Sequence, residues 1–227
     1  MKLRFQKTGH RYALDGKLIP SLSAVLDFWF GEYEDHTSGA AADRGTRIHK
    51  ACEYAIQGLL DYGSLKTESE DLSGYVHAFE KFFIDNPGIA IGKPTPEYKT
   101  HIISPENIEK NYLEMIQWIG CGMRLDLVFR KSNTIVEIKS GIPAKKHFWG
   151  YSREAMQLNT QIKAMSSANK PTGAWAGYIL YIKANGEYRA VKTKFDELIW
   201  NHFQYAWIGW YNKNYEKENK NESTNKK

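Results

Sequence analysis

The amino-acid sequence predicts an α/β fold, with a central β-sheet flanked by helices and a helical N-terminal portion. Apolar residues recur at helical spacing in the first part of the chain, whereas short apolar runs separated by turn residues fill much of the second part. Hydrophobic residues make up 42% of the 227 positions and aromatic residues 14%. The chain can therefore bury a substantial core.

The first part of the chain is predicted to hold a hairpin and three helices. Asp15-Gly16 is a strong turn pair for a hairpin, and Ser21 or Ser23 is suited to cap a short helix after it. Further on, apolar residues three and four apart indicate two longer helices, the second ending at Asn86-Pro87-Gly88. The expected elements are a hairpin over 10–19, a short helix within 20–26, and helices over about 39–60 and 70–84.

The second part is predicted to alternate between strands and helices. Asn185-Gly186 is the turn pair of a hairpin, and Gly120 and Gly122 are expected to mark a bend or bulge. The expected elements are strands over 97–103 and 111–119, a hairpin over 126–139, a helix over 153–167, a hairpin over 175–193 and an amphipathic helix over 195–211.

The hairpin between Asp126 and Lys139 is the most informative segment. One apolar run begins at Asp126, a polar turn follows over 131–133, and the second run ends in Glu137-Ile138-Lys139. Alternate side chains of a strand share a face, so Glu137 and Lys139 are expected to point the same way and Ile138 into the core. Two carboxylates and an ammonium group that converge on one place suit a divalent cation and phosphate chemistry.

Bulk properties bound the organisation of the chain. No repeat and no Pro/Gly-rich linker divides it, so we expect a single domain over residues 1–212. Residues 213–227 form a basic polar tail with five lysines and three glutamates, expected to be disordered at its end. The net charge of +5 weakly favours an anionic partner. With two cysteines that lack disulfide or zinc spacing, no visible signal peptide and no membrane-spanning run, a cytoplasmic location is expected.

The order of these elements, with Asp126 and Glu137-Ile138-Lys139 in the middle, resembles the PD-(D/E)XK nuclease superfamily, and within it the RecB-like and phage-type exonucleases. The resemblance spans about residues 10–165 and implies a restriction-endonuclease-like core with a mixed sheet. The chain departs from the family pattern at Gln161, where the family usually has tyrosine. The pieces that carry the resemblance are the segment from Leu14 to Ser23, the helix motif Gly45-Thr46-Arg47-Ile48-His49, the hairpin that begins at Gly122 and ends at Lys139, and Gln157.

The resemblance also implies a role for each residue of the site. The implied ligands of Mg²⁺ or Mn²⁺ are Asp126, Glu137, His49 and the backbone carbonyl of Ile138. Lys139 would orient or deprotonate the attacking water and stabilise the transition state. Gln157 would hold the lysine, the water or a phosphate, and Glu97 would act as a second-metal or water-mediated ligand.

Each of these roles has a structural alternative. A charged triplet such as 137–139 also occurs on solvated strand faces, and Glu97 could belong to an exposed edge strand. Basic residues that flank the site in sequence could form a track for DNA phosphates, or could simply lie in a solvated loop. These residues are Arg44, Arg47, Lys145, Lys146 and Arg153. Trp149 and Tyr151 could stack on the bases of a frayed end.

The implied function is that of a metal-dependent DNA exonuclease, a hydrolase acting on linear DNA with free ends. Such enzymes serve recombination, repair or phage DNA metabolism, sometimes beside a single-strand annealing protein. Homo-oligomers occur among phage relatives, and the sequence leaves the oligomeric state open. The alternatives are a structure-specific endonuclease on the same fold, a non-catalytic nucleic-acid-binding module, and an unrelated metal-binding protein.

Overall fold

A computed structural model of the protein describes most of the chain as two compact units. The described residues are 2–6, 11–31, 39–103, 120–141, 150–168 and 173–224. The first unit comprises residues 1–34, 101–123 and 196–227, and the second comprises residues 35–100 and 124–195. The single domain over residues 1–212 stays a prediction.

The first unit contains a three-stranded antiparallel sheet in the order β1-β2-β3, formed by Leu3–Gln6, Arg11–Leu14 and Lys17–Ile19. The β2–β3 turn confirms the predicted hairpin, with both Asp15 and Gly16 at positive φ. Helix α1 (Leu22–Phe30) begins where expected, and the Oγ of Ser21 accepts a hydrogen bond from the Ala24 amide. The sequence pattern does not predict β1.

The last helix of the chain also belongs to the first unit and is longer than expected. This helix, α5, spans Glu197–Thr224 and packs against α1. A Cβ at Gly209 would lie 2.7 Å from Cε1 of Phe28, so glycine allows this close approach. Residues 225–227 lie outside the described residues, and disorder at the end of the tail stays a prediction.

The second unit holds the long helices predicted before and after the central hairpin. They are α2 (Gly39–Gln57), a short 3₁₀ helix (Tyr62–Leu65), α3 (Ser73–Asp85) and α4 (Arg153–Ala168). The predictions for α2, α3 and α4 are confirmed to within three residues at each end. Asn86 follows α3 directly, as the Asn-Pro-Gly stop signal requires.

A five-stranded mixed sheet has the order β4-β5-β6-β7-β8. Its strands are Thr95–Ile103, Gly120–Phe129, Thr134–Ser140, Ala176–Ile182 and Tyr188–Lys194. The β5–β6 and β7–β8 pairs are antiparallel, whereas β6 and β7 run parallel because α4 lies between them in the chain. This mixed sheet flanked by helices confirms the predicted α/β class, and both predicted hairpins are present.

One face of this sheet packs against α2 and α3 to form a hydrophobic core. Residues at the centre of that core are Ile48, Cys52, Phe79, Phe82, Leu127, Val136, Ile138 and Leu180. Ile138 therefore points into the core, while Glu137 and Lys139 lie on the opposite face with α4. This alternation is the arrangement that the hairpin sequence predicts.

β5 runs through Gly120 and Gly122, so no bend interrupts the strand there, and the alternative of a bulge stays a prediction. Gly122 instead lies directly against Tyr12, where a Cβ would fall 2.2 Å from Cγ of the ring. Glycine is needed here for close packing. The predicted strand over 111–119 lies outside the described residues. Among the described residues, none of the helices combines the length and hydrophobicity that a membrane crossing requires.

Candidate active site

The carboxylate of Glu137 lies at the centre of a buried polar cluster between β6 and α4. Its side chain is 4% exposed, and its Oε1 accepts hydrogen bonds from Lys139 Nζ at 2.9 Å and from Gln157 Nε2 at 2.5 Å. The other oxygen, Oε2, accepts from Gln161 Nε2 at 3.1 Å. Lys139 Nζ also lies 3.3 Å from Gln157 Oε1. Glu137, Lys139 and Gln157 therefore meet, and their catalytic roles stay a prediction.

A second acidic group, Asp126, lies at the end of the same hairpin. Its Oδ2 accepts a hydrogen bond of 2.8 Å from the backbone amide of Ile138 and lies 3.5 Å from Nδ1 of His49. His49 comes from α2, which is anchored in the core by Ile48 and Cys52 on either side of it. A Cβ at Gly45 would lie 3.6 Å from Oγ of Ser140, so α2 passes close to the end of β6.

The charges of this cluster stabilise one another. Burial opposes protonation of His49, but Asp126 and then Glu137 outweigh it, so the pKa of His49 lies above its usual value. Burial likewise opposes ionisation of Asp126, but His49 and Lys139 hold its pKa below the usual value. For Lys139, burial is outweighed by Glu137 and Asp126, and its pKa is raised. The pKa of each of these three groups is thus shifted in the direction that favours its charged form.

The structure places the remaining predicted residues around this cluster or apart from it. Glu97 has a φ of 48°, uncommon for a residue other than glycine, and forms an ion pair of 3.3 Å with Arg124. Its role as a ligand stays a prediction. Arg44 and Arg47 are exposed on α2, and Arg47 pairs with Glu70 at 2.6 Å. Arg153 is the first, half-buried residue of α4.

The predicted DNA track falls partly outside the described residues. Lys145, Lys146 and Trp149 lie outside the described residues. Tyr151 is described, and its side chain is buried, with 7% of the residue exposed. The expectation that Tyr151 stacks on bases is therefore wrong for this arrangement, because a buried ring offers no face to a base.

Three residues near the cluster have no role in the sequence-based prediction. Gln161 is noted there only as a departure from a family pattern, although its four-residue spacing from Gln157 places both on one helix face. Tyr181 is paired with Lys139 in the β6–β7 register, which the sequence alone does not reveal. Glu154 lies close enough to raise the pKa of both Lys139 and Tyr181.

The donor set suits a hard divalent cation in its chemistry. Asp126 and Glu137 supply carboxylate oxygens and His49 an imidazole, and Asp126 and His49 are already within 3.5 Å of each other. In this arrangement Glu137 is engaged by Lys139 and two glutamines. Accordingly, no group of three or more His, Cys, Asp or Glu side chains among the described residues is arranged to hold a metal ion.

Comparisons with known proteins give only distant similarity. No family model and no curated protein matches the chain. Among solved structures, it is similar to a candidate exonuclease from Eubacterium rectale, at 13% identity and a TM-score of 0.46, over 85% of this chain and 77% of that one. It is also similar to an alkaline exonuclease from Laribacter hongkongensis, at 13% identity and a TM-score of 0.44, over 92% and 94%. The function must therefore be argued from the site itself.

Proposed function

We propose that the protein is a divalent-metal-dependent DNA exonuclease that hydrolyses phosphodiester bonds from the ends of linear DNA. The observation that carries this proposal is the cluster of Lys139, Glu137 and Gln157 beside the Asp126–His49 pair. A phosphodiester is anionic, so its hydrolysis needs positive charge near the phosphate and a held water molecule. The two carboxylates and the lysine of the hairpin can supply both, the positive charge through a bound cation and the ammonium group, and the held water through the same groups.

In this proposal the cation is Mg²⁺ or Mn²⁺, held by Asp126, Glu137, His49 and the backbone carbonyl of Ile138. When bound, it neutralises phosphate charge and lowers the pKa of a bound water. Asp126 is kept in place by the Ile138 amide and by His49. The two carboxylates also make the site selective for a cation rather than for phosphate alone.

Lys139 orients or deprotonates the attacking water, and its charge stabilises the additional negative charge of the transition state. Its side chain is 28% exposed, and its ammonium group is bound to Glu137 at 2.9 Å. Gln157 holds the lysine through Oε1 and the glutamate through Nε2, which links the two groups. Glu97 is a candidate ligand of a second metal, or a candidate water-mediated ligand.

The substrate in this proposal is linear DNA, contacted by exposed arginines such as Arg44 and Arg47 and by Lys145, Lys146 and Arg153. The biological setting is recombination, repair or phage DNA metabolism in the cytoplasm, with a single-strand annealing protein as a candidate partner and a homo-oligomer as a candidate assembly.

The proposal is tested by incubating end-labelled linear DNA and closed circular DNA with the protein, in Mg²⁺, in Mn²⁺ and with a chelator. We expect metal-dependent loss of the linear DNA only. Lys139→Ala should abolish it, whereas Lys183→Ala, which removes an exposed lysine paired with Glu187, should not. Nicking of the circle would indicate the structure-specific endonuclease instead. DNA binding without cleavage under any condition would indicate the non-catalytic module.

A further inference from the structure

Gln161 is a glutamine in a place where packing alone does not call for one. The residue is fully buried, at 0% exposure, within a helix whose neighbouring core positions are Leu158 and Ile162. Its Nε2 donates to Glu137, but its Oε1 is buried and accepts no hydrogen bond from any described residue. An amide oxygen enclosed without a donor destabilises the folded protein. An apolar side chain of the same size would avoid that cost.

The amide orientation of Gln161 is determined by its neighbour. An ionised carboxylate only accepts hydrogen bonds, so the amide must turn its NH₂ group toward Glu137 and leave the oxygen behind. The two other donors, Lys139 and Gln157, both bind Oε1 of Glu137. Among the described residues, Gln161 is therefore the donor that holds Oε2. It fixes the plane of the carboxylate, which donors to a single oxygen leave free to rotate.

Because Gln157 and Gln161 are four residues apart, α4 presents two amides one helical turn apart to the two oxygens of one carboxylate. We propose that Gln161 is a positioning residue, which holds the Glu137 carboxylate in one orientation for the cation and thereby for hydrolysis. This inference rests on the proposed nuclease function. A carboxylate held in one orientation binds a metal without first having to be ordered, and such supporting hydrogen bonds typically change metal affinity by about 10–100-fold.

The test compares Gln161→Met with the wild type. Methionine keeps the length and nearly the volume of the side chain but has no N–H donor. We expect the urea midpoint of Gln161→Met to stay near the wild-type value, because removal of the enclosed amide oxygen offsets the loss of the donor to Oε2 of Glu137. At the same time, Mn²⁺ affinity measured by calorimetry and the rate on linear DNA should each fall by about 10–100-fold. The KM for DNA should stay within about twofold of the wild type, because Gln161 is too deeply buried to contact the substrate.

Thr160→Val is the matched control. Thr160 is equally buried on the same helix, but its hydroxyl donates to the backbone oxygen of Met156 rather than to the cluster. It should leave Mn²⁺ affinity and rate at wild-type values. The inference is overturned if Gln161→Met keeps both within about twofold, or if it loses activity only in proportion to a loss of stability shared with Thr160→Val.

A measurement without metal or DNA separates this inference from the proposed function. The side-chain amide resonances of Gln161 can be assigned by NMR as those that disappear in Gln161→Met. We expect them to exchange slowly with solvent and to shift in the isosteric Glu137→Gln variant. Resonances that exchange as fast as those of exposed glutamines, or that do not move, would refute the contact. A wild-type protein that neither binds Mn²⁺ nor cuts DNA would refute the nuclease proposal, and with it the catalytic purpose of the contact.

Discussion

Gly177→Ala should impair the candidate active site, although the added methyl group contacts none of the residues of that site. Gly177 lies in β7 beneath α4, where an added Cβ would be 2.7 Å from Cγ and both Cδ atoms of Leu158. Carbon atoms in contact are ordinarily about 3.5–4.0 Å apart, so the helix must move outward by about 1 Å. Leu158 is fully buried, so its side chain cannot turn out into solvent to make room.

The consequence of this movement can be read from the hydrogen bonds of α4. Leu158 follows Gln157 directly and lies one turn before Gln161. Moving the helix by about 1 Å would extend the Gln161–Glu137 hydrogen bond from 3.1 Å to beyond hydrogen-bonding distance. We expect Gly177→Ala to lower the free energy of unfolding by about 1–3 kcal/mol, as overpacking does. Activity on linear DNA should fall by up to about 100-fold, the scale for an ångström of misplacement.

The assay is urea denaturation together with the rate of digestion, at a temperature where every variant is folded. Leu158→Ala removes all three atoms that the new methyl group would meet, so Gly177→Ala/Leu158→Ala should recover most of the activity. It should remain unstable, because Leu→Ala in a core costs about 2–5 kcal/mol by itself. Full activity in a destabilised Gly177→Ala protein, or a double variant as inactive as the single one, would refute this reasoning.

Three further predictions concern charge. Lys139→Met breaks the ion pair with Glu137 and should lower the free energy of unfolding by about 2–3 kcal/mol. This is less than for a fully buried pair, because the Lys139 side chain is 28% exposed. A loss under about 0.5 kcal/mol, measured in urea, would contradict this. Asp126→Asn should lower the pKa of His49, because burial then acts without the main opposing charge, and an NMR titration that shows no decrease would exclude it. In the wild type the His49–Asp126 pair stabilises the fold below pH 6.5. This stabilisation is lost as pH rises through the raised pKa of His49 in the folded protein. Burial, with Glu154, raises the pKa of Tyr181 to about 12, so the free energy of unfolding should fall between pH 10 and 12. Tyr181→Phe should reduce that fall. A wild-type protein with the same free energy of unfolding in urea at pH 9 and at pH 11.5 would rule this out.

The parts of the site that are local in sequence could be predicted from it. Asp126, Glu137 and Lys139 belong to one antiparallel hairpin, where alternation and a short turn determine which side chains share a face. His49 is less local, and its helix motif together with the family resemblance was needed to connect it to the hairpin.

The parts of the site that depend on how distant helices and strands pack together could not be predicted from the sequence. The contact of Gln161 with Glu137 requires α4 to cross over between the parallel strands β6 and β7, and the pairing of Tyr181 with Lys139 requires the register of those strands. Neither the contact nor the pairing produces a periodic pattern in the sequence. Gly122 shows a different limit, because a glycine in a strand is consistent both with a bulge and with close packing, and the sequence does not reveal the neighbouring Tyr12 ring.

Each compact unit carries one buried cysteine, Cys52 in the second and Cys121 in the first. Burial raises the pKa of both thiols well above the usual value, so neither reacts readily while its unit stays closed. Because the chain has two cysteines in all, alkylation followed by peptide mapping would report the opening of each unit separately. Cys52 lies one helical turn from His49, so its labelling rate would measure how often the helix that carries the imidazole comes away from the sheet. The two thiols are thus intrinsic probes of local unfolding, one in each unit.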